Sequence, residues 1–135
     1  KPVDNNGTYV DYLKQDKKNN CSRIVDKSDP ESKRAELEYK VLDCIRTEEK
    51  DSQYLSLVEI KLLTGRHHQI RVQFSGHGTP LYGDGKYGNN EKAVRKSLAL
   101  CACHLKFKHP ATGKIMDFQI KPDTGAFKLF SKSND

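Results

Sequence analysis

Four side chains that can bind anions stand within a six-residue span, at Arg66, His67, His68 and Arg71. The surrounding stretch, residues 60–83, contains no aspartate or glutamate, so positive charge and hydrogen-bond donors are concentrated there. Guanidinium groups and the free N–H groups of a helix start both bind phosphate and carboxylate. The block therefore indicates a phosphate or carboxylate site. An exposed basic helix without a ligand explains the same residues about equally well.

Of these four residues, Arg71 is the strongest candidate for binding a carboxylate or phosphate. His67, Ile70, Arg71 and Phe74 are spaced i, i+3, i+4 and i+7, which is one stripe of a helix. An arginine on a stripe with apolar residues is expected to be partly buried. It then needs a carboxylate or phosphate partner, ideally one bound through two hydrogen bonds.

A metal site is the competing chemistry. Cys101, Cys103 and His104, together with His67 and His68, supply zinc-type ligands. The Cys-x-Cys pair lacks the two-residue gap usual in zinc sites, so we expect no metal and interpret the thiols as small buried apolar groups. The chain also contains no P-loop, dinucleotide-binding glycine pattern or nucleophile elbow.

The elements that must position these residues follow from periodicity. Alternation of apolar and polar residues predicts four strands, at residues 35–41, 54–62, 98–108 and 115–120. The helical stripe predicts one main helix at about residues 67–75, begun by Thr64 or Gly65 and ended by Gly76 or Gly78. The predicted fold class is α+β, with a predominantly antiparallel sheet and one main helix.

The remaining segments are polar. Residues 1–34 are rich in Asn, Asp, Lys and Ser and are predicted to form an irregular arm. Residues 91–96 are predicted to form a short basic helix, and residues 128–135 a weakly specified tail.

Length and composition limit the function. The chain has 135 residues, 24 Lys and Arg against 18 Asp and Glu, and a net charge of +6, which favours an anionic partner such as nucleic acid. No stretch approaches the roughly 20 apolar residues of a membrane span, so a membrane protein is excluded. Four cysteines at low density favour a reducing cytoplasm. The opening Lys1-Pro2 and the single methionine, Met116, suggest a fragment or a processed product.

Two blocks of the sequence resemble a known family, the RNA pseudouridine synthases that modify large-subunit ribosomal RNA and transfer RNA. The first block resembles the third motif of that family and the second resembles its carboxyl-terminal strand, with Cys101 where the family usually has histidine. The first consists of residues 64–71, 78–84 and 86–88, and the second of Leu100, Cys101, Ala102, Leu105, Phe107, His109, Pro110, Thr112 and Gly113.

The family's catalytic aspartate lies in an Arg-Leu-Asp motif amino-terminal to these blocks, and its active-site tyrosine lies in a Lys-x-Tyr block. Neither motif occurs in this chain. The resemblance thus implies that residues 35–127 are the carboxyl-terminal half of a catalytic domain. We expect the chain alone to be inactive and to need the amino-terminal half of the same protein. We also expect it to self-associate through apolar strands left uncovered, namely Leu55, Leu57, Val58, Ile60 and residues 98–107.

The resemblance implies an isomerase that converts uridine to pseudouridine in ribosomal or transfer RNA and uses no cofactor. Arg71 would form the ion pair that positions the catalytic aspartate, and Leu100 would pack near the target base. His68 and Gln69 would be structural hydrogen-bonders. The residues expected to bind RNA are Arg66, Lys61, Lys92, Arg95 and Lys96; the alternative role for Arg66 is to brace the start of the helix.

Two alternatives remain open. A non-catalytic RNA-binding module also explains the basic half of the family motif, and an Arg-Leu-Asp block upstream of Lys1 would exclude it. A zinc-ribbon-like interaction domain predicts bound metal, which elemental analysis detects.

Overall fold

The computed structural model describes residues 4–47, 54–88 and 97–131. The chain divides into two compact units, residues 1–98 and residues 99–135. The first unit contains β1 (Asn6–Asp16), β2 (Cys21–Ile24), β3 (Lys33–Arg46), β4 (Tyr54–Leu62) and helix α1 (Gln69–Gly76). The second contains β5 (His104–Lys108), β6 (Ile115–Gln119), a 3-10 turn (Gly125–Phe127) and helix α2 (Lys128–Ser131). The predicted α+β class is confirmed.

The first unit is an antiparallel sheet with the strand order β2-β1-β3-β4. Alternate residues of β1 and β3 face α1, because successive side chains of a strand point to opposite faces. Two clusters of buried residues result, and both join sheet to helix. They are Leu13, Ala35 and Val72 in one, and Leu37, Tyr39 and Phe74 in the other.

The prediction of an irregular arm at residues 1–34 is wrong for its described part, because β1 and β2 are two of the four strands of the sheet. The inward face of β1 includes Asp11 between Tyr9 and Leu13. Asp11 is satisfied by hydrogen bonds from Gln73 and His77, so a charged residue occupies a position where the alternation needs an apolar one. The polar composition thus hid a strand whose inward polar group has partners.

The predicted helix is present, but its buried face is rotated from the predicted stripe. The buried residues of α1 are Gln69, Val72, Gln73 and Phe74, whereas Ile70 and Arg71 are half-buried. Buried glutamines stay invisible to hydrophobic periodicity because they are polar. The helix begins after His68 and not at Thr64 or Gly65.

Helix α1 ends at Gly76, and Gly78, the other glycine predicted to end it, lies in the turn that follows. The backbone of Gly78 has a positive φ of 77°, which glycine adopts at no steric cost. Its N–H donates to Ser75 O, and the N–H of His77 donates to Gln73 O.

The second unit is a hairpin in which Leu105 pairs with Phe118 and Phe107 with Met116. The strand predicted at residues 98–108 begins only at His104, because no strand in the described part of the chain pairs with residues 98–102. Strand β6 agrees with the prediction to within one residue.

The expected exposure of apolar strands is correct only in part. Leu105 and Phe107 are exposed, but the four named β4 residues are half-buried. Tyr54 and Leu62, at the two ends of β4, are exposed instead.

Several predicted features lie outside the described residues. They are the basic helix at residues 91–96, most of the turn at residues 47–53 and the end of the tail at residues 132–135. None of the described helices is long and apolar enough to cross a lipid bilayer.

Candidate active site

The junction between β4 and α1 is fixed to β3 by hydrogen bonds. The N–H groups of Leu63 and Thr64 both donate to Glu36 O, and the Thr64 hydroxyl accepts the N–H of Glu36 at 2.8 Å. Gln69 closes the loop, since its Oε1 accepts from the Thr64 hydroxyl and the Arg66 N–H while its Nε2 donates to Glu36 O. Gln69 is 3% exposed. Its side chain thus joins the β4–α1 junction to β3.

Arg71 forms a bidentate ion pair with Asp84. Arg71 Nε lies 2.9 Å from Asp84 Oδ2, and Arg71 Nη2 lies 2.7 Å from Asp84 Oδ1. The Arg71 side chain is 18% exposed and that of Asp84 is fully buried. The prediction of a partly buried Arg71 with a bidentate partner is therefore confirmed, and the partner is a carboxylate of this chain.

Asp84 is held as a carboxylate by four donors. Besides the two from Arg71, the backbone N–H groups of Lys86 and Tyr87 each donate to Oδ1 at 3.0 Å. Burial acts to raise the pKa of Asp84, but the hydrogen bonds from Arg71 and from these N–H groups outweigh it and hold the pKa below its usual value. The turn before Asp84 requires glycine at Gly83, where φ is 76° and an added Cβ would lie 2.2 Å from Ser97 O.

Tyr87 connects the Arg71–Asp84 ion pair to strand β2 and to the start of α1. Its ring lies 4.9 Å from the Arg71 guanidinium carbon and packs against the buried cluster that contains Val72. Its hydroxyl accepts the Ser22 N–H at 2.9 Å and lies 2.7 Å from His68 Nδ1. Its backbone carbonyl accepts the hydroxyl of Ser75 at 2.6 Å. Strand β2, the helix start and the ion pair therefore meet at one side chain.

His68 precedes α1 in a left-handed backbone conformation, with φ 52°. Its ring stacks on His67 with centroids 3.8 Å apart. Burial lowers the pKa of His68, and the nearby charges of His67, Arg71 and Lys86 lower it further. The lowered pKa favours the neutral imidazole, whose Nδ1 lies within hydrogen-bond distance of the Tyr87 hydroxyl.

The structure describes three of the other predicted site residues, Arg66, Lys61 and Leu100. Arg66 is exposed and its Nε donates to Arg34 O at 2.9 Å, which braces the helix start. Lys61 is 71% exposed and pairs with Glu38 at 3.3 Å. Lys92, Arg95 and Lys96 lie outside the described residues. Leu100 is 42% exposed and belongs to the second unit.

Sequence reasoning did not assign roles to Asp84, Tyr87 and Ser22. Asp84 and Tyr87 both lie in the block that resembles the family motif, but the resemblance gave neither of them a role. A buried aspartate after a glycine turn is a natural partner for a half-buried arginine, and this signal could have linked the two. In the described part of the chain no three His, Cys, Asp or Glu side chains are grouped as metal ligands.

The arrangement can hold a second anion at Arg71. A guanidinium has five N–H donors, and Asp84 accepts from Nε and Nη2. Among the described residues, the Nη1 donors and the second Nη2 donor have no acceptor, so they are left for an external carboxylate, phosphate or carbonyl oxygen. Asp84 fixes the plane of the guanidinium, so these donors have a defined direction.

Comparison with known proteins agrees with this geometry. Residues 1–76, more than half of the chain, match the RNA pseudouridylate synthase family. The chain belongs to this family. A ribosomal large subunit pseudouridine synthase D of Zymomonas mobilis is 37% identical over 110 residues, which cover 76% of this chain and 32% of the relative. A dual-specificity RNA pseudouridine synthase RluA of Yersinia pestis is 35% identical over 92 residues, which cover 67% of this chain and 42% of the relative.

The fold also matches a solved structure of the pseudouridylate synthase family. The human RNA Pseudouridylate Synthase Domain Containing 1 protein superposes with a TM-score of 0.73 at 22% identity, covering 90% of this chain and 50% of that one. The chain thus spans between about a third and a half of the length of these three proteins.

Proposed function

We propose that this chain provides part of the active site of an RNA pseudouridine synthase that isomerises uridine in ribosomal or transfer RNA. The observation that carries the proposal is Arg71, held by the buried Asp84 with donors left over, in a member of this family. The reaction breaks the bond between C1′ of ribose and N1 of uracil and forms a bond from C1′ to C5. The C5 proton is lost and N1 gains one, so no oxidant or reductant takes part.

Arg71 is proposed to position the catalytic aspartate that the family carries in its Arg-Leu-Asp motif. The guanidinium contacts Asp84 through Nε and Nη2, which leaves the Nη1 side for that second carboxylate. A planar, fixed donor group suits this role because carboxylate recognition depends on bidentate geometry. Asp84 is not proposed as the nucleophile, since its two oxygens are already bonded to Arg71, Lys86 and Tyr87.

RNA is the proposed partner, and the net charge of +6 supports it. Arg66, Lys61, Lys92, Arg95 and Lys96 remain the proposed phosphate contacts. Arg66 and Lys61 are the two described ones. Within the described residues the Arg66 side chain donates a hydrogen bond through Nε alone, whereas Lys61 must exchange Glu38 for a phosphate. Leu100 remains the proposed contact to the target base, and no cofactor is proposed.

The amino-terminal half of the same protein is the second proposed partner. The hairpin of the second unit exposes Leu105, Ile115 and Phe118, each more than half accessible. Apolar strands in this state bind another surface or self-associate. A reducing cytoplasm is the proposed location, and it agrees with the free state of all four cysteines.

The test is release of tritium from RNA that carries 5-tritiated uridine, using the protein extended upstream to include the Arg-Leu-Asp block. The proposal expects release with wild type and none after Asp→Asn in that block. The competing function, a non-catalytic RNA-binding module, predicts RNA binding without release. An upstream sequence that lacks the block would favour the module before any assay.

A further inference from the structure

The turn that joins β1 to β2, residues 17–20, presents two adjacent exposed lysines, Lys17 and Lys18. Asp16 closes the turn, because its carboxylate accepts the Asn19 N–H at 3.1 Å and the Asn19 side-chain amide at 2.7 Å. Asn20 completes it with a left-handed φ of 48°, a conformation that asparagine visits more readily than most residues. The turn is therefore ordered by its own hydrogen bonds, which lowers the entropy cost of binding through it.

The β1–β2 turn is tied to the family motif by side chains. His67 Nε2 lies 3.1 Å from Asn20 Oδ1, and His67 Nδ1 lies 2.9 Å from the Ser22 hydroxyl. Lys86 Nζ donates to Asn20 O at 2.6 Å. The N–H of Ser22 donates to the hydroxyl of Tyr87. Four contacts thus connect the turn and the start of β2 to residues 67–87.

Tyr87 extends this connection from the β1–β2 turn to the Arg71–Asp84 ion pair. The Tyr87 ring lies against the Arg71 guanidinium, and its backbone N–H donates to Asp84. The β1–β2 turn is therefore fixed relative to the group proposed to position the catalytic aspartate.

The charge of the turn is available to a ligand. Lys14, Arg34 and Lys61 of the same sheet all pair with carboxylates of this chain. Within the described residues, neither Lys17 nor Lys18 pairs with one. The carboxylate of Asp16 lies beside them, but it is engaged with Asn19.

We propose that the β1–β2 turn is a phosphate contact for RNA, in which Lys17 and Lys18 bind the phosphodiester backbone next to the site at Arg71. This inference rests on the proposed function. Contacts to phosphate carry no sequence information, so the turn sets affinity and the placement of the strand and leaves the choice of base to other residues.

The experiment measures binding of a fluorescein-labelled RNA stem-loop with uridines in its loop to the complete 135-residue chain over a range of salt concentrations. We expect Lys17→Gln/Lys18→Gln to weaken binding at low salt. The slope of log affinity against log salt should fall in magnitude by about 1.4 to 1.8, which is twice the roughly 0.7 to 0.9 per phosphate contact. The matched control is Lys27→Gln/Lys40→Gln. It removes the same charge from exposed lysines that make no hydrogen bond to residues 67–87 in the described structure, and it should change the slope by less than half as much.

A second variant tests the connection to the motif. His67→Ala keeps both lysines but removes the contacts to Asn20 and Ser22. We expect it to weaken RNA binding in the same direction as the double lysine variant, by a smaller factor. Circular dichroism melts of all variants establish that each one folds.

The inference is overturned if the double lysine variant binds with the affinity and slope of wild type, or if it loses affinity with an unchanged slope. A wild-type chain that binds no RNA overturns it as well. The proposed function is judged separately by tritium release from the extended protein, so an active enzyme with a normal double variant would reject the turn and keep the isomerase.

Discussion

The two units of the chain differ in what holds them together. Every buried residue among the described ones lies in the first unit, including polar ones such as Gln73 and Asp84. The described residues of the second unit are half-buried or exposed throughout. Its hairpin has ring contact between Phe107 and Phe118, but both rings are exposed. The first unit therefore has its own core, whereas the hairpin does not.

The difference indicates where function can be held precisely. A catalytic group must stay within about half an ångström of its working position, which requires side chains fixed by packing and by further hydrogen bonds. Arg71 has such support from Asp84 and Tyr87. A hairpin with a bare apolar surface instead suits a partner that completes it, and the proposed partner is the amino-terminal half of the protein.

The largest expected effect is on activity, from Arg71→Lys in the extended enzyme. Lysine keeps the charge but loses the planar fork, so it cannot hold Asp84 and a second carboxylate together. We expect the rate of tritium release to fall by about ten- to a thousandfold, as positioning effects allow. The control is Arg66→Lys, which should cost less. Equal losses for both variants would show that Arg71 has no special role.

Breaking the buried ion pair from its other side should mainly affect stability. Asp84→Asn keeps the shape but leaves the guanidinium half-buried without its carboxylate, so the free energy of unfolding should fall by about 2–3 kcal/mol. The matched change in the hairpin is Asp117→Asn, which removes an exposed pair with His104 and Lys106. Denaturant titration should show no measurable shift for it, and a similar shift in both variants would contradict the comparison.

A smaller effect is expected for Tyr87→Phe. The ring and its packing remain, but the Ser22 N–H and His68 Nδ1 lose their partner, which costs about 1–2 kcal/mol. Tyr54→Phe removes a hydroxyl from a residue that is 59% exposed and serves as the control. Thermal melts measure the stability of both variants. Equal melting temperatures would show that the Tyr87 hydroxyl does not stabilise the fold.

The smallest expected effect is the pH dependence from His68. Its pKa in the folded chain lies below the ordinary 6.5, so the unfolded chain binds more protons between the two values. Stability from this residue is present above pH about 6.5 and is lost as pH falls toward the folded pKa. His68→Asn should flatten that slope below about pH 6.5, and asparagine tolerates the left-handed backbone at this position. An unchanged slope would mean that His68 titrates normally.

The sequence predicted those parts of the fold whose apolar pattern is regular. Strand β4 was predicted with its observed bounds, and the helix was shifted by one or two residues. Strand β1 was missed because Asp11 interrupts its inward face, and the helix face was misjudged because Gln69 and Gln73 are buried. Asp11, Gln69 and Gln73 each share a hydrogen bond with another element, which offsets part of the cost of burying them, although Gln73 Oε1 has no partner among the described residues. Local periodicity carries no sign of these bonds.

The candidate site likewise has one part that the sequence predicted and one part that it did not. The partial burial of Arg71 and its need for a bidentate partner followed from its apolar neighbours on the helix. The identity of the partner, Asp84, could not be predicted from those neighbours. Asp84 is thirteen residues away beyond a glycine turn, and only the folded chain brings it to Arg71. Likewise Ser22 joins the cluster only through the pairing of β2 with β1.

The most direct test of the account compares the 135-residue chain with the upstream-extended protein in one tritium-release assay on the same 5-tritiated RNA. The account holds that this chain positions a catalytic aspartate that it does not itself supply. It therefore predicts release by the extended protein and none above background by the chain, with RNA binding by both. Release by the chain alone would contradict the account, because the catalytic aspartate would then lie within these 135 residues.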